Sequence, residues 1–240
     1  MTVPHRSFPG AGACPDHHAG PSARSDRREA IAELGEALRI LVEQATATEA
    51  PPADLRRCAA LLRAATVPLA ATARERSTMP SADDLLAGIR MYNPATGAGS
   101  GLAPPLRIDL VDGHAVGSCT LGLAHEGPPT YAHGGISALL LDQMLGYVVN
   151  AAGRPGLTVA LDTRYRAPVP LQTPLRLDAR VTESSGRSIT AAGSIATADD
   201  PHTPLVLATA TFVALRPRQL AELFGTALRL DTIEPFPAHE

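Results

Sequence analysis

The sequence predicts an α+β fold in which one curved antiparallel sheet wraps one long helix. Three observations carry this. Between residues 106 and 215 the pattern runs β-β-α-β-β-β-β, so strands do not alternate with helices and a doubly wound sheet is excluded. The single helical segment there, from Gly135 to Gly153, is apolar almost throughout. The flanking segments alternate at period two and are separated by short turn signals.

The elements follow in chain order. Residues 1–25 are rich in Gly, Pro, Ser and His without periodicity and read as a disordered tail. Cys14, His17 and His18 in that tail lack a fourth ligand for a metal site. From 26 to 78, Ile31, Leu34, Leu38, Leu41, Val42 and Ala45 recur at three and four, with Asp26 as N-cap and Pro51-Pro52 as stop. A second Ala/Leu-rich helix, kinked or ended near Pro68, completes an expected helical hairpin extension. Its apolar stripe needs a partner surface. Residues 79–105 read as a short helical turn and a Gly/Pro-rich linker. The main domain, 106–215, opens with LRIDLV, an Asp112-Gly113 hairpin turn and HAVGSCTLGL. After the helix come four strands at 157–167, 174–184, 187–197 and 204–215, the second and third joined at Ser185-Gly186. Residues 216–240 form a C-terminal tail with a short helix.

Composition excludes several functions. The 240 residues carry a net charge of −3 with both signs mixed, which suits neither a nucleic-acid platform nor a polybasic membrane surface. Every basic residue other than His is Arg, so no Schiff-base or P-loop lysine is possible. Aromatics are 3% and Trp is absent, so the core must come from Ala, Val, Leu and Ile. The three cysteines are dispersed, which makes a reducing cytoplasm the simplest compartment. The longest apolar stretch, 136–152, is interrupted by Asp142, Gln143 and Asn150 and is too short to span a bilayer; no secretory signal opens the chain.

The chemistry concentrates in His133-Gly134-Gly135-Ile136-Ser137-Ala138-Leu139-Leu140-Leu141-Asp142. A Gly pair opening a helix offers unpaired N–H groups and a partial positive charge to an oxyanion. His133 stands beside that tip to orient a carbonyl. Asp142 is a lone carboxylate within an apolar helix, a placement that costs several kcal/mol unless it is partnered. Each feature has an ordinary reading: a turn, a solvated histidine, a helix acid facing water. Their fixed spacing is the signal. Seven residues separate Gly135 from Asp142, a rise of about 10 Å. Reacting atoms must approach to about 3–3.5 Å, so tip and acid of one helix cannot serve one carbonyl. The simplest arrangement sets Gly134/Gly135 of one subunit against Asp142 of another.

The HGGISALLLD motif, with its acid nine positions after the histidine, resembles the hot-dog-fold acyl-CoA thioesterases of the PaaI-like, 4-hydroxybenzoyl-CoA thioesterase-related group. EGPPTYAHGG before it and GLTVALDTRYRAPVPLQTPLRLDARV after it extend the likeness over about residues 100–215. The resemblance implies a hot-dog fold and hydrolysis of acyl-CoA to free acid and CoA without metal or redox cofactor. It implies that Gly134, with Gly135, polarises the thioester carbonyl and that His133 orients it. Asp142 of the facing subunit would act as general base or nucleophile. Thr158 would help hold the water, and strict alternation would set it with Ala160 and Asp162, opposite Leu157, Val159 and Leu161. Arg154, Arg164, Arg166 and Arg187 are the candidate phosphate contacts for CoA. A homodimer or homotetramer follows from the shared site. Some relatives carry Asn or Gln where this chain has Gly127. That departure motivates the alternative of a non-catalytic acyl-CoA binding or sensing module. A hydratase of the same fold would need a histidine base in another register, and none is present. Few aromatics mean few stacking platforms, which favours an aliphatic acyl group.

Overall fold

A computed structural model describes residues 21–85, 87–216 and 219. Two helices, α1 (Pro21–Ala47) and α2 (Pro52–Ala70), precede the hairpin β1 (Arg107–Val111) and β2 (His114–Thr120). The central helix α3 (Gly134–Ala151) follows, then β3 (Gly156–Tyr165), β4 (Pro174–Ser185), β5 (Ser188–Thr197) and β6 (Val206–Ala214). The strands form one antiparallel sheet in the order β1-β2-β4-β5-β6-β3. The helix between β2 and β3 therefore carries the chain from one side of the sheet to its far edge.

The local chemistry explains the boundaries. Asp112 and Gly113 both take positive φ, 50° and 77°, as a two-residue primed hairpin turn requires. The tight turn after β4 falls on Gly186-Arg187, one residue later than the sequence suggests, because Ser185 and Ser188 still pair. The end of α3 is a Schellman motif. Gly153 has φ 74°, its N–H donates to the Asn150 carbonyl at 2.9 Å, and the Arg154 N–H donates to the Val149 carbonyl at 3.3 Å.

The core lies between α3 and the inner face of the sheet. Leu140, Leu141, Met144, Leu145, Val148 and Val149 are buried at helical spacing. They face Leu175, Leu177, Ile189, Ile195, Val206 and Phe212. Apart from Phe212 the cluster is aliphatic, as the composition requires. The helix is not wrapped on every side, despite its apolarity. Asp142 and Gln143 are half-buried on flanks away from the core stripe.

Three expectations for the N-terminal third need correction. Helix α1 starts at Pro21, so residues 21–25 are helical and Asp26 lies inside the helix, not at its cap. Pro suits a first turn, where its missing N–H has no helical partner. The two helices do not close into a hairpin: α1 packs on the turn Leu123–His125, whereas α2 has no buried residue and continues through Pro68 to Ala70. Among the described residues of 79–105 there is no helix, and the segment is not a loose linker. It forms a strap packed between α1 and α3. Asp83, buried, accepts from Met91 N–H at 2.8 Å, and Asn93 Nδ2 donates to Gln143 of α3 at 2.8 Å. Arg39 of α1 donates to the carbonyls of Ala98 and Ser100 at 2.7 and 2.9 Å. Gly35 permits this contact, since a Cβ there would lie 2.1 Å from the Ala98 oxygen. The tail at 1–20, with Cys14, His17 and His18, and most of 216–240 lie outside the described residues.

Burial pushes the Cys119 thiol up to about 12, so almost none is thiolate at neutral pH, whereas Cys58 is exposed on α2. In native protein near about pH 8, a disulfide-exchange reagent should modify Cys58 quickly and Cys119 only after denaturation. Mass spectrometry of the labelled peptides checks this; rapid native labelling of Cys119 would contradict its burial.

Candidate active site

The site is built around the first turn of α3. His133 is the N-cap: its backbone is extended and its Nδ1 accepts from the Gly135 N–H at 3.0 Å. An accepting Nδ1 places the ring proton on Nε2 in the neutral imidazole, leaving that N–H free to donate. The Ile136 N–H donates to the His133 carbonyl at 2.9 Å. Among the described residues no acceptor meets the Gly134 N–H. The Gly pair therefore splits: Gly134 offers a free donor, and Gly135 has spent its own on the cap.

The loop before the helix holds this tip. His133 N–H donates to the His125 carbonyl at 2.9 Å, and Gly127 N–H to the Tyr131 carbonyl at 2.9 Å. A Cβ on Gly127 would stand 2.7 Å from His133 Cα, so the chain admits no larger side chain there without moving the helix tip. The loop is tied across to the segment after β3, where Ala132 N–H donates to the Val169 carbonyl at 2.9 Å. Between loop and segment lies an open cleft of about 360 Å³ against Gly134. Pro128, Ala132, Pro168 and Val169 line it with apolar surface; Tyr131, Tyr165, Ser137 and Arg166 supply the polar groups. The scarcity of aromatics thus does not extend to the cleft, which takes two of the chain's four tyrosines.

Asp142 sits on another part of the same helix, eight residues and about 12 Å beyond Gly134. Thr158 Oγ1 donates to its Oδ1 at 3.0 Å. This pairing corrects the alternation expected for β3. The register slips between Thr158 and Ala160, leaving Val159 as a bulge. Thr158 pairs with Phe212, Leu161 with Ala210, Thr163 with Ala208 and Tyr165 with Val206, all buried on the helix side. Thr158 therefore shares a face with Leu161, not with Ala160 and Asp162.

The arginines separate. Arg166 lines the cleft. Arg164 is exposed on the outer face of β3 and contacts Asp162 at 3.4 Å. Arg154 and Arg187 lie at the other end of α3, about 25 Å from Gly134 along an 18-residue helix. Arg154 binds Ser184 at 2.5 Å and the Gly186 carbonyl, and Arg187 donates to the Ala214 carbonyl at 3.0 Å. Both close strand ends in the single chain and do not converge on the cleft. Sequence reasoning passed over two residues. Ser137 is 1% exposed yet borders the cleft, and Tyr165 donates its phenol O–H to the Gly134 carbonyl at 2.8 Å. The RYRAPVP segment was the available signal for Tyr165; Ser137 gave none.

One long helix on a six-stranded antiparallel sheet, with a Gly-opened tip, is a hot-dog fold. A profile described as the thioesterase superfamily matches residues 130–202, the helix tip through β5. A crystal structure of a thioesterase superfamily protein is 35% identical, spans 76% of this chain and 94% of that one, and superposes with a TM-score of 0.68. On this evidence the chain belongs to the thioesterase superfamily. Acyl-coenzyme A thioesterase THEM4 of Xenopus laevis is 33% identical over 94 residues, 38% of this chain. That match spans 41% of the Xenopus protein, less than half its length.

Replacing the cap tests the local geometry. His133→Ala should cost about 0.5–2 kcal/mol of stability, read by thermal or denaturant unfolding, because Gly135 loses its acceptor. A variant as stable as the parent would show that the cap bond contributes nothing.

Proposed function

We propose that this chain hydrolyses acyl-CoA thioesters as a homodimer whose two sites each draw on both subunits. The observation that carries this is the separation of tip and acid on α3 within a superfamily of thioesterases. The free Gly134 N–H and the Nε2–H of His133 polarise the thioester carbonyl, and the cleft receives one arm of the substrate. Asp142 from the facing subunit, held by Thr158, either takes a proton from water as the water oxygen bonds to the carbonyl carbon or attacks that carbon itself. In both cases the developing oxyanion rests at the helix tip, where fixed donors and the helix dipole favour it. The C–S bond then breaks and the thiolate leaves, protonated through solvent; with water as the attacker this frees the acid directly, whereas attack by Asp142 leaves the acyl group joined to its carboxylate as a mixed anhydride, which water then cleaves to the free acid and the restored carboxylate. With Gly127 unable to carry a side chain, the duty of holding water falls on Thr158. Arg166 is the candidate contact for the CoA phosphates, and Arg164 the second.

The edge strand supports the dimer. Among the described residues strand β3 has no partner on its outer side, and it leaves Leu157 42% and Val159 61% exposed. Unprotected apolar edges associate. Pairing β3 with its twin about a twofold axis would extend the sheet and bring each Gly134 toward the other Asp142. In this reading residues 106–215 carry the chemistry, and α1, α2 and the strap are accessory. The free cysteines suit a reducing compartment such as the cytoplasm.

Steady-state assays on a panel of aliphatic and aryl acyl-CoAs, with a thiol reagent corrected for Cys58, test the activity. Asp142→Ala should lower kcat/KM at least about 100-fold. Activity unchanged by that substitution would end the assignment, and saturable acyl-CoA binding without turnover would favour a sensing module. Val159→Lys should shift the species seen by light scattering from twice the 24.9 kDa chain to the chain itself, with loss of turnover. A fully active 24.9 kDa monomer would overturn the shared site.

A further inference from the structure

Only one of the first three amides of α3 is free to act on a ligand. Gly135 N–H is committed to His133 Nδ1 and Ile136 N–H to the His133 carbonyl, as described above. The direction of the remaining N–H depends on the torsions around Gly134. That residue has no Cβ, so its own sterics restrict it little. The N–H lies in the His133–Gly134 peptide, whose carbonyl already accepts from Ile136 N–H at 2.9 Å; the Cα and carbonyl of Gly134 on its other side face the open cleft and need a separate restraint.

Tyr165 holds it in two ways. Its O–H donates to the Gly134 carbonyl at 2.8 Å. A carbonyl oxygen has two lone pairs, so this bond adds to the helical one without replacing it. Its ring also lies over the Gly134 Cα: a Cβ there would meet the ring Cε1 at 3.3 Å and the hydroxyl at 3.4 Å. The ring reaches this place because the bulge at Val159 sets Tyr165 on the helix-facing side of β3, opposite Val206. Hydrogen bond and ring contact fall on the one glycine whose amide is unpaired. Tyr165 is 54% exposed and borders the cleft, so packing of the core does not account for its place.

We infer that Tyr165 is a positioning residue, whose phenol fixes the carbonyl and Cα of Gly134 and so restrains the torsions that keep the N–H of that residue aimed at the thioester oxygen; this rests on the proposed hydrolysis. The clamp touches the peptide, not the substrate. Its effect belongs to the transition state, where the oxygen carries charge and a displaced donor costs most.

Tyr165→Phe keeps the ring and removes the hydroxyl. It should lower kcat about tenfold and leave KM within about twofold. Tyr165→4-aminophenylalanine, which restores a donor at the same place, should recover most of the loss. In protein labelled with 13C at glycine carbonyls, the Gly134 resonance should move upfield in the Phe variant and return in the amino variant. A stationary resonance would overturn the clamp whatever the activity. A moved resonance with unchanged kcat, or a raised KM at constant kcat, would overturn the positioning role. The parent enzyme separates the two proposals. No acyl-CoA turnover by the parent would sink the hydrolase reading and this inference with it. Turnover that depends on Asp142 but is indifferent to the Tyr165 hydroxyl would sink this inference alone.

Discussion

The seating of α3 on the sheet fixes where both of its chemical groups can be. Its inward side chains, from Leu140 to Val149, are almost fully buried, and burial of each large aliphatic group contributes roughly 1.5–3 kcal/mol. That packing forbids the helix to slide or rotate. Its rigidity holds Gly134 at the cleft and Asp142 about 12 Å along the axis, and no side-chain motion can bring them together. A chain built this way has an oxyanion donor at one place and an acid at another. The proposed completion of the site from a second subunit starts from this helix geometry.

The loop and the strap complete the frame, and each also lends the core a small residue, Ala132 and Ala95. His133 caps the helix with its side chain, its N–H ties to His125, and Gly127 nests against its Cα, so cap and loop are one unit. On the other flank the strap lies along α1 and reaches Gln143 through Asn93, beside the acid. A polar contact in the middle of an apolar helix thus has its own partner supplied from 50 residues away in sequence. The arginines show the opposite case. Arg154 and Arg187 each donate to a carbonyl at a strand end, Gly186 and Ala214, far along α3 from the cleft.

The fold and the central constellation were legible because their signals are local. Period two marked β4, a Gly pair marked the start of α3, and Asp112-Gly113 marked a turn whose positive φ angles the structure bears out. What was not legible depends on contacts far apart in the chain. Nothing in GSGLAPP says that Arg39 will hold it, so the strap read as a linker. Helical periodicity in α2 says that an apolar stripe exists, not that α1 lies against it. The part played by Ser137 depends on which side of α3 opens to the cleft, and one more small residue in a helix does not announce this. Composition averages over the chain and says nothing of where aromatics sit, whereas Tyr131 and Tyr165 gather at one place.

Strand β3 departs from strict alternation by a single residue, and that residue lets one strand serve two masters. Up to Val159 its apolar side chains look outward, yet Thr158 still turns inward to the acid and Tyr165 to the helix tip. Any evolutionary or engineering change in the length of this segment acts like a switch of phase. Dropping one residue would invert the half of the strand before the gap and leave the half after it in place. A relative without the extra residue would therefore present the opposite side of its early strand to the helix when aligned to this one without a gap.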